Sequence, residues 1–261
     1  MKRSSGARIA ATLTVSALSL ALITGCSDNG SDDAKGTDAK ESAAASSAPA
    51  AKALTSAELE KLLLAKGDVK DYEVESGDDT LPKSKSDVKT DKAQCDPLAW
   101  ATAALAPGET DANASNTVTA NPSAAKDPSE LSEADIEGAF DVSITFVGLS
   151  SYDGDGAEKA LKAVSDGVTA CSGGYGLKAE GENSKVTKVT TAKSSGAGDE
   201  SVAFAEDVDM DGEGTATFLT EVVRKGNTVA TFYSVNLAAL SKGGKTEIPA
   251  DVVKAQVAKL K

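Results

Sequence analysis

The sequence predicts an α+β fold, a single domain in which helices pack on a mainly antiparallel sheet. The first observation behind this is alternation: Phe140, Val142, Ile144 and Phe146 are separated by polar residues, which is typical of a strand with one buried face. The second is order along the chain. Helix signals lie at both ends of the region 54–261 and strand-like segments lie between them, which favours layers of helix and sheet.

The helices of the first half are predicted from their caps. Thr55-Ser56-Ala57-Glu58 is a capping box, in which the Thr hydroxyl and the Glu carboxylate bind each other's free backbone N–H groups. We expect this helix to continue to about Lys66 and to stop at Gly67. A second helix should begin with Asp96 as its cap and Pro97 at its first position, where a missing N–H costs nothing.

The segments around these helices are less regular. Tyr72-Glu73-Val74 predicts a short strand, and the polar residues 107–127 predict a loop. Asp127-Pro128-Ser129-Glu130 predicts the start of a helix of one or two turns.

The central helix of the second half is predicted from a second capping box, Asp155-Gly156-Ala157-Glu158. The apolar residues after it recur at helical spacing and place Cys171 at the buried end of the helix. A last helix should begin at Pro249, with Val253, Val257 and Leu260 on one face.

The remainder is predicted to be sheet. Lys225-Gly226-Asn227-Thr228 is expected to form a tight hairpin, with positive φ angles at Gly226 and Asn227. The segments with strand-like composition are 186–191, 201–208, 215–224 and 228–237.

The N-terminal segment predicts export. Basic residues precede an apolar run from Ile9 to Ile23, which is shorter than the ~18 residues that a spanning helix needs. Ile23-Thr24-Gly25-Cys26 resembles the bacterial lipobox, whose cysteine is acylated after cleavage. We therefore predict a lipoprotein signal peptide at residues 1–25 and lipidation of Cys26, which would hold the chain at the outer face of the cell membrane. The alternative is an uncleaved membrane anchor.

The next segment predicts a flexible tether. Residues 27–53 are mostly Ser, Ala, Asp, Lys and Gly and contain no aromatic or large aliphatic residue before Leu54, so they have nothing to bury. A chain of this length and composition has a root-mean-square span of roughly 30 Å. The predicted organisation is therefore signal peptide 1–25, lipidated cysteine and disordered linker 26–53, and extracytoplasmic domain 54–261.

The charge excludes one class of partner. The formal net charge is −13, and removal of residues 1–25, which carry three positive charges and no negative ones, would make it −16. Such a surface repels nucleic acid and anionic lipid headgroups. No nucleic-acid partner is expected.

The cysteines and the absence of histidine narrow the chemistry. With Cys26 acylated, Cys95 and Cys171 remain in an oxidising compartment and are predicted to form a disulfide, worth at most roughly 4 kcal/mol; two free thiols are the alternative. The sequence contains no histidine, which excludes a Ser-His-Asp or Cys-His arrangement and an imidazole metal ligand. We predict a protein without enzymatic activity and without a cofactor.

One motif partly matches a metal site. Asp207, Asp209 and Asp211, followed by Gly212, fit the first half of a calcium loop. The twelfth position, where a bidentate Glu is needed, is Phe218. The other interpretation is an acidic turn between two strands.

The order of these elements resembles the PknH-like extracellular sensor domain family of actinobacterial lipoproteins and of a mycobacterial Ser/Thr kinase. The residues that carry the resemblance are 54–58, Cys95 at the start of a helix, 142–145 through 157 to 171, Gly198-Asp199-Glu200-Ser201-Val202, and the hairpin 222–229. The resemblance implies a cleft-bearing domain that binds a ligand or a partner outside the cell. The kinase sensor has two disulfides where this chain can form one. Small actinobacterial lipoproteins with a Mog1/PsbP-like fold have a similar order of elements.

The sequence thus predicts a lipid-anchored extracytoplasmic domain that binds an unknown ligand or protein partner. Two other functions remain open. A carrier of lipid or another apolar ligand would need a large apolar cavity. A carboxylate-based cell-wall hydrolase would need two acids facing each other in a cleft.

Overall fold

The computed structural model describes residues 52–76, 81–120, 142–210, 214–242 and 246–261. These residues belong to one compact unit, and within them nine antiparallel strands form one sheet in the order β1-β3-β4-β9-β8-β7-β6-β5-β2. The predicted α+β class is confirmed. The strands are β1 Tyr72–Ser76, β2 Val88–Thr90, β3 Asn113–Ala120, β4 Ser143–Ser151, β5 Tyr175–Ala179, β6 Glu182–Ala192, β7 Glu200–Asp209, β8 Thr215–Lys225 and β9 Thr228–Asn236.

Helices pack on both faces of the sheet. Those of the described residues are α1 Ser56–Glu60, α2 Asp96–Thr102, α3 Gly156–Ala170, α4 Leu237–Lys242 and α5 Ala250–Ala258, with 3-10 turns at Lys85–Asp87 and Ala93–Cys95. None of the described helices has the length and apolar character that crossing a membrane would need.

Neighbouring residues on the central strands point to different cores, because side chains alternate along a strand. Val222 belongs to the core under α2 and α3, whereas Val223 belongs to the core under α1 and α5. We call the first the disulfide face, which includes Leu98, Leu161, Val164, Phe204 and Val222, and the second the Gln256 face, which includes Leu59, Val147, Phe232, Val252 and Val253.

The predicted disulfide is present. Cys95 and Cys171 are bonded, and both are buried within the disulfide face. The bond joins the start of α2 to the end of α3 and links positions 76 residues apart. Cys171 lies at the buried end of α3, as its helical spacing predicts.

The first helix is correctly placed but shorter than predicted. The capping box forms: the Thr55 hydroxyl accepts from the Glu58 N–H, and the Thr55 N–H donates to the Glu58 carboxylate at 2.8 Å. However, the helix ends at Glu60 rather than near Lys66. The residues after it are held instead by side chains from distant parts of the chain, which are described below.

The expectation of a loop over 107–127 is wrong for residues 113–120. They form β3, which pairs with β1 on one side and β4 on the other. Its residues are mostly small and polar, yet Asn116 and Thr117 are buried. Pairing on both sides stabilises this strand, and local composition carries no signal of it. Strands β2 and β5 were likewise not predicted.

The strand that was predicted from alternation over residues 140–146 is β4, which lies a few residues later in the chain. Its more buried face is the one opposite to the predicted face. In β4, Val147 and Leu149 are fully buried on the Gln256 face, while Ile144 and Phe146 are half-buried on the other face. Both faces of β4 are covered, so apolar residues occur in both phases of the alternation. Phe140 and the predicted helix start at 127–130 lie outside the described residues.

Two predicted helix caps are absent from the structure, and one predicted backbone angle in the hairpin turn is different. Asp96 has helical backbone angles and accepts from the Thr90 hydroxyl at 2.6 Å, so it does not cap α2. Asp155 precedes α3 without a side-chain cap and instead pairs with Lys159 at 2.8 Å. The β8–β9 hairpin is confirmed, but within it only Gly226 has a positive φ, of 58°.

Candidate functional site

A cleft opens at the end of β1, where the first residues of the antiparallel strand β3 extend beyond it. The two strands pair from Tyr72 with Ala120 to Ser76 with Asn116, so the first three residues of β3 have no partner from β1. The cleft has a volume of about 940 Å³. The described residues that line it are Glu60, Lys61, Leu63, Leu64, Ala65, Lys66, Val74, Ser76, Leu81, Pro82, Lys83, Ala103, Leu105, Asn113, Ala114, Ser115, Asn116 and Lys259.

The charge of the lining is opposite to that of the chain. Four lysines line the cleft, Lys61, Lys66, Lys83 and Lys259, against one carboxylate among the described lining residues, Glu60. The whole chain has a net charge of −13. A concave surface with an excess of one sign of charge concentrates the electrostatic field within it.

One of these lysines is partly neutralised. Lys259 Nζ lies 2.5 Å from an oxygen of Asp68. This hydrogen bond, with a second from the Ala65 N–H, lowers the pKa of Asp68. Within the described residues neither Lys61 nor Lys66 forms an ion pair, and both are exposed. These two cations are therefore available to a ligand.

The inner wall combines aliphatic side chains with amide groups. Asn116 is only 2% exposed, and its Nδ2 donates to the Leu64 carbonyl at 2.7 Å, which fixes the orientation of the amide. Its Oδ1 has no hydrogen-bond partner among the described residues, and neither has the Oδ1 of Asn113. Asn113 and Asn116 thus both line the cleft, and each has a buried Oδ1 acceptor without a donor among the described residues.

Gln256 holds the segment that carries the free lysines. This residue of α5 is fully buried; its Oε1 accepts from the Leu64 N–H at 3.0 Å, and its Nε2 donates to the Leu62 carbonyl at 2.8 Å. At these positions the segment between α1 and β1 has no regular backbone hydrogen bonds of its own. The side chains of Gln256 and Asn116 provide the missing hydrogen-bond partners. In the sequence, the available signal was a polar residue within the apolar spacing of the last helix.

The predicted site residues do not converge on the cleft. Cys26 lies outside the described residues, and the Cys95–Cys171 disulfide is on the disulfide face. Asp207 lies in β7 and accepts from the Thr217 hydroxyl at 2.7 Å across the β7–β8 pair. Asp211 lies outside the described residues, so the metal hypothesis stays a prediction; among the described residues no group of three His, Cys, Asp or Glu could hold a metal ion.

The structure also contains a buried acid that the sequence reasoning missed. Glu206 in β7 is 3% exposed and accepts from the Tyr175 hydroxyl at 2.6 Å and from the Thr102 hydroxyl at 2.9 Å. Burial raises the pKa of Glu206, although the two hydrogen bonds act in the opposite direction. The signal was an acid at an inward position of β7, between Phe204 and Val208. It does not line the cleft.

Comparison with known proteins assigns this chain to no family. No family model matches the sequence, and no curated protein is significantly similar to it. Among solved structures, the chain is similar to the extracellular domain of PknH from Mycobacterium tuberculosis, with 11% sequence identity and a TM-score of 0.43, over 80% of this chain and 95% of that chain. At this sequence identity and TM-score, no conclusion about family or function rests on the similarity.

Proposed function

We propose that this protein is a lipid-anchored extracytoplasmic domain that binds a small ligand in the lysine-lined cleft and catalyses no reaction. The observation that carries the proposal is the cleft itself. Its volume of about 940 Å³ is within the range of small-molecule sites, roughly 300–1,000 Å³. Its wall combines aliphatic side chains, lysines and unpaired amide oxygens, which is the mixture that fixes a ligand in one orientation.

The anchor is supported by the lipobox-like sequence that ends at Cys26. The described residues that follow it most closely are already part of the domain. The Asn227 amide donates to the Lys52 carbonyl at 2.8 Å, the Ala53 N–H donates to Asp153 at 2.8 Å, and the Leu54 N–H donates to the Ser151 hydroxyl at 2.9 Å. These hydrogen bonds attach residues 52–54 to the body of the domain.

The two alternative functions fit the cleft less well. An apolar-ligand carrier would leave Lys61 and Lys66 without a counter-charge, which is unfavourable where a ligand removes water from them. A hydrolase of the carboxylate type needs a pair of acids, and Glu60 is the one carboxylate among the described lining residues.

The anchor and the cleft are tested separately. Full-length protein and its Cys26→Ala variant are expressed in a bacterium that processes lipoproteins, and the membrane and soluble fractions are compared. We expect the wild-type protein in the membrane fraction and the variant in the medium or the soluble extract. Retention of Cys26→Ala in the membrane fraction would show that the anchor is not Cys26.

Native mass spectrometry of the released Cys26→Ala protein then tests the cleft. We expect a non-covalent adduct that is lost on denaturation. Ser115→Phe places a ring inside the cleft and should abolish the adduct, whereas Ser184→Phe, at an exposed position of β6, should retain it. A bare protein mass, or an adduct that survives Ser115→Phe, would contradict a ligand in this cleft.

A further inference from the structure

The cleft also indicates the chemical class of its ligand. Resting on the proposed function above, we infer that the ligand is a small organic anion, a carboxylate or a phosphate ester, that carries a hydroxyl or amide N–H donor next to an apolar portion. Three independent features of the described residues lead to this class: the free lysines, the unpaired amide oxygens and the aliphatic wall.

The lysines require an anion. The position of Lys61 at the end of α1 has an ordinary explanation, because cations are favourable at a helix C-terminus. That explanation does not extend to Lys66, five residues further along the same segment, or to Lys83 and Lys259, which come from distant parts of the chain and line the same cleft. Lys259 is paired with Asp68, so the charge argument rests on Lys61 and Lys66, which outnumber Glu60, the one carboxylate among the described lining residues.

The amide oxygens require a donor on the same ligand. A carboxylate or phosphate oxygen cannot pair with the Oδ1 of Asn116, since both are acceptors. The amide cannot turn over to present its Nδ2 either, because that nitrogen already donates to the Leu64 carbonyl. A buried acceptor without a partner costs about 1–3 kcal/mol, so a ligand hydroxyl or N–H that reaches it gains specificity from the same atom.

The aliphatic residues leave room for an apolar portion. Leu63, Leu64, Val74 and Leu105 line the cleft from both layers of the fold. A purely ionic ligand would leave this wall in contact with water, and a purely apolar one would bury the lysines without a counter-ion. A short amphiphilic anion satisfies both parts of the lining.

Calorimetric titration of the full-length Cys26→Ala protein with four probes tests this assignment. The reference probe is 3-hydroxyoctanoate. Octanoate lacks its hydroxyl, methyl 3-hydroxyoctanoate lacks its charge, and 3-hydroxyoctyl phosphate carries the other anionic group. We expect the two hydroxylated anions to bind best, with affinity that falls as ionic strength rises. Loss of the hydroxyl or of the charge should each weaken binding about tenfold, which corresponds to about 1.4 kcal/mol. The preferred anion distinguishes a carboxylate from a phosphate ligand.

A pair of variants assigns the charge effect to the cleft. Lys61→Gln with Lys66→Gln should weaken the hydroxylated anions about tenfold and leave the methyl ester unchanged. Lys159→Gln with Lys162→Gln changes the net charge equally but at exposed positions of α3, where the lysines pair with Asp155 and Asp166, and should have no effect on binding. Asn113→Ala should reduce the preference for the hydroxyl.

The outcomes separate the two proposals. If the methyl ester binds as tightly as the anions, or if both lysine pairs have the same effect, the assignment of an anionic ligand is wrong while binding in the cleft stands. Failure of both hydroxylated anions to bind also overturns the assignment, provided that the adduct blocked by Ser115→Phe is present. If that adduct is absent as well, the proposed function itself fails.

Discussion

The two faces of the sheet are covered in different ways. On the disulfide face, the 15-residue helix α3 and the Cys95–Cys171 bond enclose a continuous apolar core. On the Gln256 face, the cover consists of α1 with five residues, α5 with nine, and a connecting segment held by side-chain hydrogen bonds. The cleft opens at the edge of the sheet formed by β1 and β3, beside this second cover.

The difference separates stability from binding. A covalent bond and a long amphipathic helix resist local opening, whereas a short helix and a few hydrogen bonds can adjust when a ligand enters. Binding surfaces are commonly built from the less stable part of a fold for this reason. We therefore expect substitutions on the disulfide face to lower global stability and those on the Gln256 face to change the cleft as well.

The largest effect is expected from the disulfide. Replacement of both Cys95 and Cys171 by alanine removes the cross-link between α2 and α3 and should lower the free energy of unfolding by about 2–4 kcal/mol. Urea denaturation of the folded domain measures this loss. Ser172→Ala, at the exposed neighbouring position, is the control and should change little. A loss below about 1 kcal/mol would mean that the disulfide face does not depend on its covalent bond.

The next effect concerns Gln256. Gln256→Ala leaves the Leu64 N–H and the Leu62 carbonyl without their partners and should cost about 2 kcal/mol. Hydrogen exchange of the Leu64 amide should accelerate more than that of amides in α3, because the release is local. Lys254→Ala, an exposed position on the same helix, is the matched control. Unchanged exchange at Leu64 would contradict the role of Gln256 in holding the cleft wall.

A smaller effect, dependent on pH, is expected at Glu206. Because burial raises its pKa above the usual 4.5, the folded protein keeps this proton at pH values where the unfolded chain loses it. The stability that the protonated carboxyl contributes is complete below pH 4.5 and is lost as the pH rises through the folded-state pKa.

Glu206→Gln is neutral at every pH and should therefore be more stable than the wild-type protein, by an amount that grows as the pH rises above 4.5. Thermal unfolding of both proteins across this range gives the difference, and the lowest pH serves as the internal reference. A constant difference at all pH values would show that Glu206 does not keep its proton on folding.

The smallest effect on stability is expected for Lys66, one of the two cleft lysines without an ion pair among the described residues. Lys66→Ala removes an exposed side chain that has no ion pair within the described residues, so the free energy of unfolding should change by less than about 0.5 kcal/mol. Its effect should be on anion binding instead. A substantial loss of stability would show that Lys66 is part of the fold's own packing rather than of a binding surface.

Features encoded in a few adjacent residues could be predicted from the sequence. The capping box at Thr55 and Glu58 and the hairpin at Gly226 depend on neighbouring backbone groups, and both are present. The disulfide was predicted from the hypothesis of an exported chain in which Cys26 is acylated, so that Cys95 and Cys171 remain to pair. The predicted caps at Asp96 and Asp155 were wrong because each carboxylate has a competing partner, Thr90 in one case and Lys159 in the other.

The cleft could not be predicted in the same way. Its described walls come from residues 60–66, 74–76, 81–83, 103–105, 113–116 and 259, and their proximity depends on strand pairing between distant parts of the chain. The polar strand β3 gave no local signal, although it supplies both unpaired amide oxygens. Glu206 and Gln256 were missed because an isolated polar residue in an apolar pattern does not reveal its partner.

The sequence by itself determined the features that short-range physics controls: the α+β class, the starts of α1 and α3, the hairpin between β8 and β9, and the pairing of the only two cysteines in the domain. The tertiary structure decided which phase of β4 is most buried, where α1 ends, and where four lysines meet in an acidic chain. The physical reason is that capping and turn formation require only neighbouring backbone groups, whereas burial, strand pairing and a charged cleft arise from contacts between residues far apart along the chain.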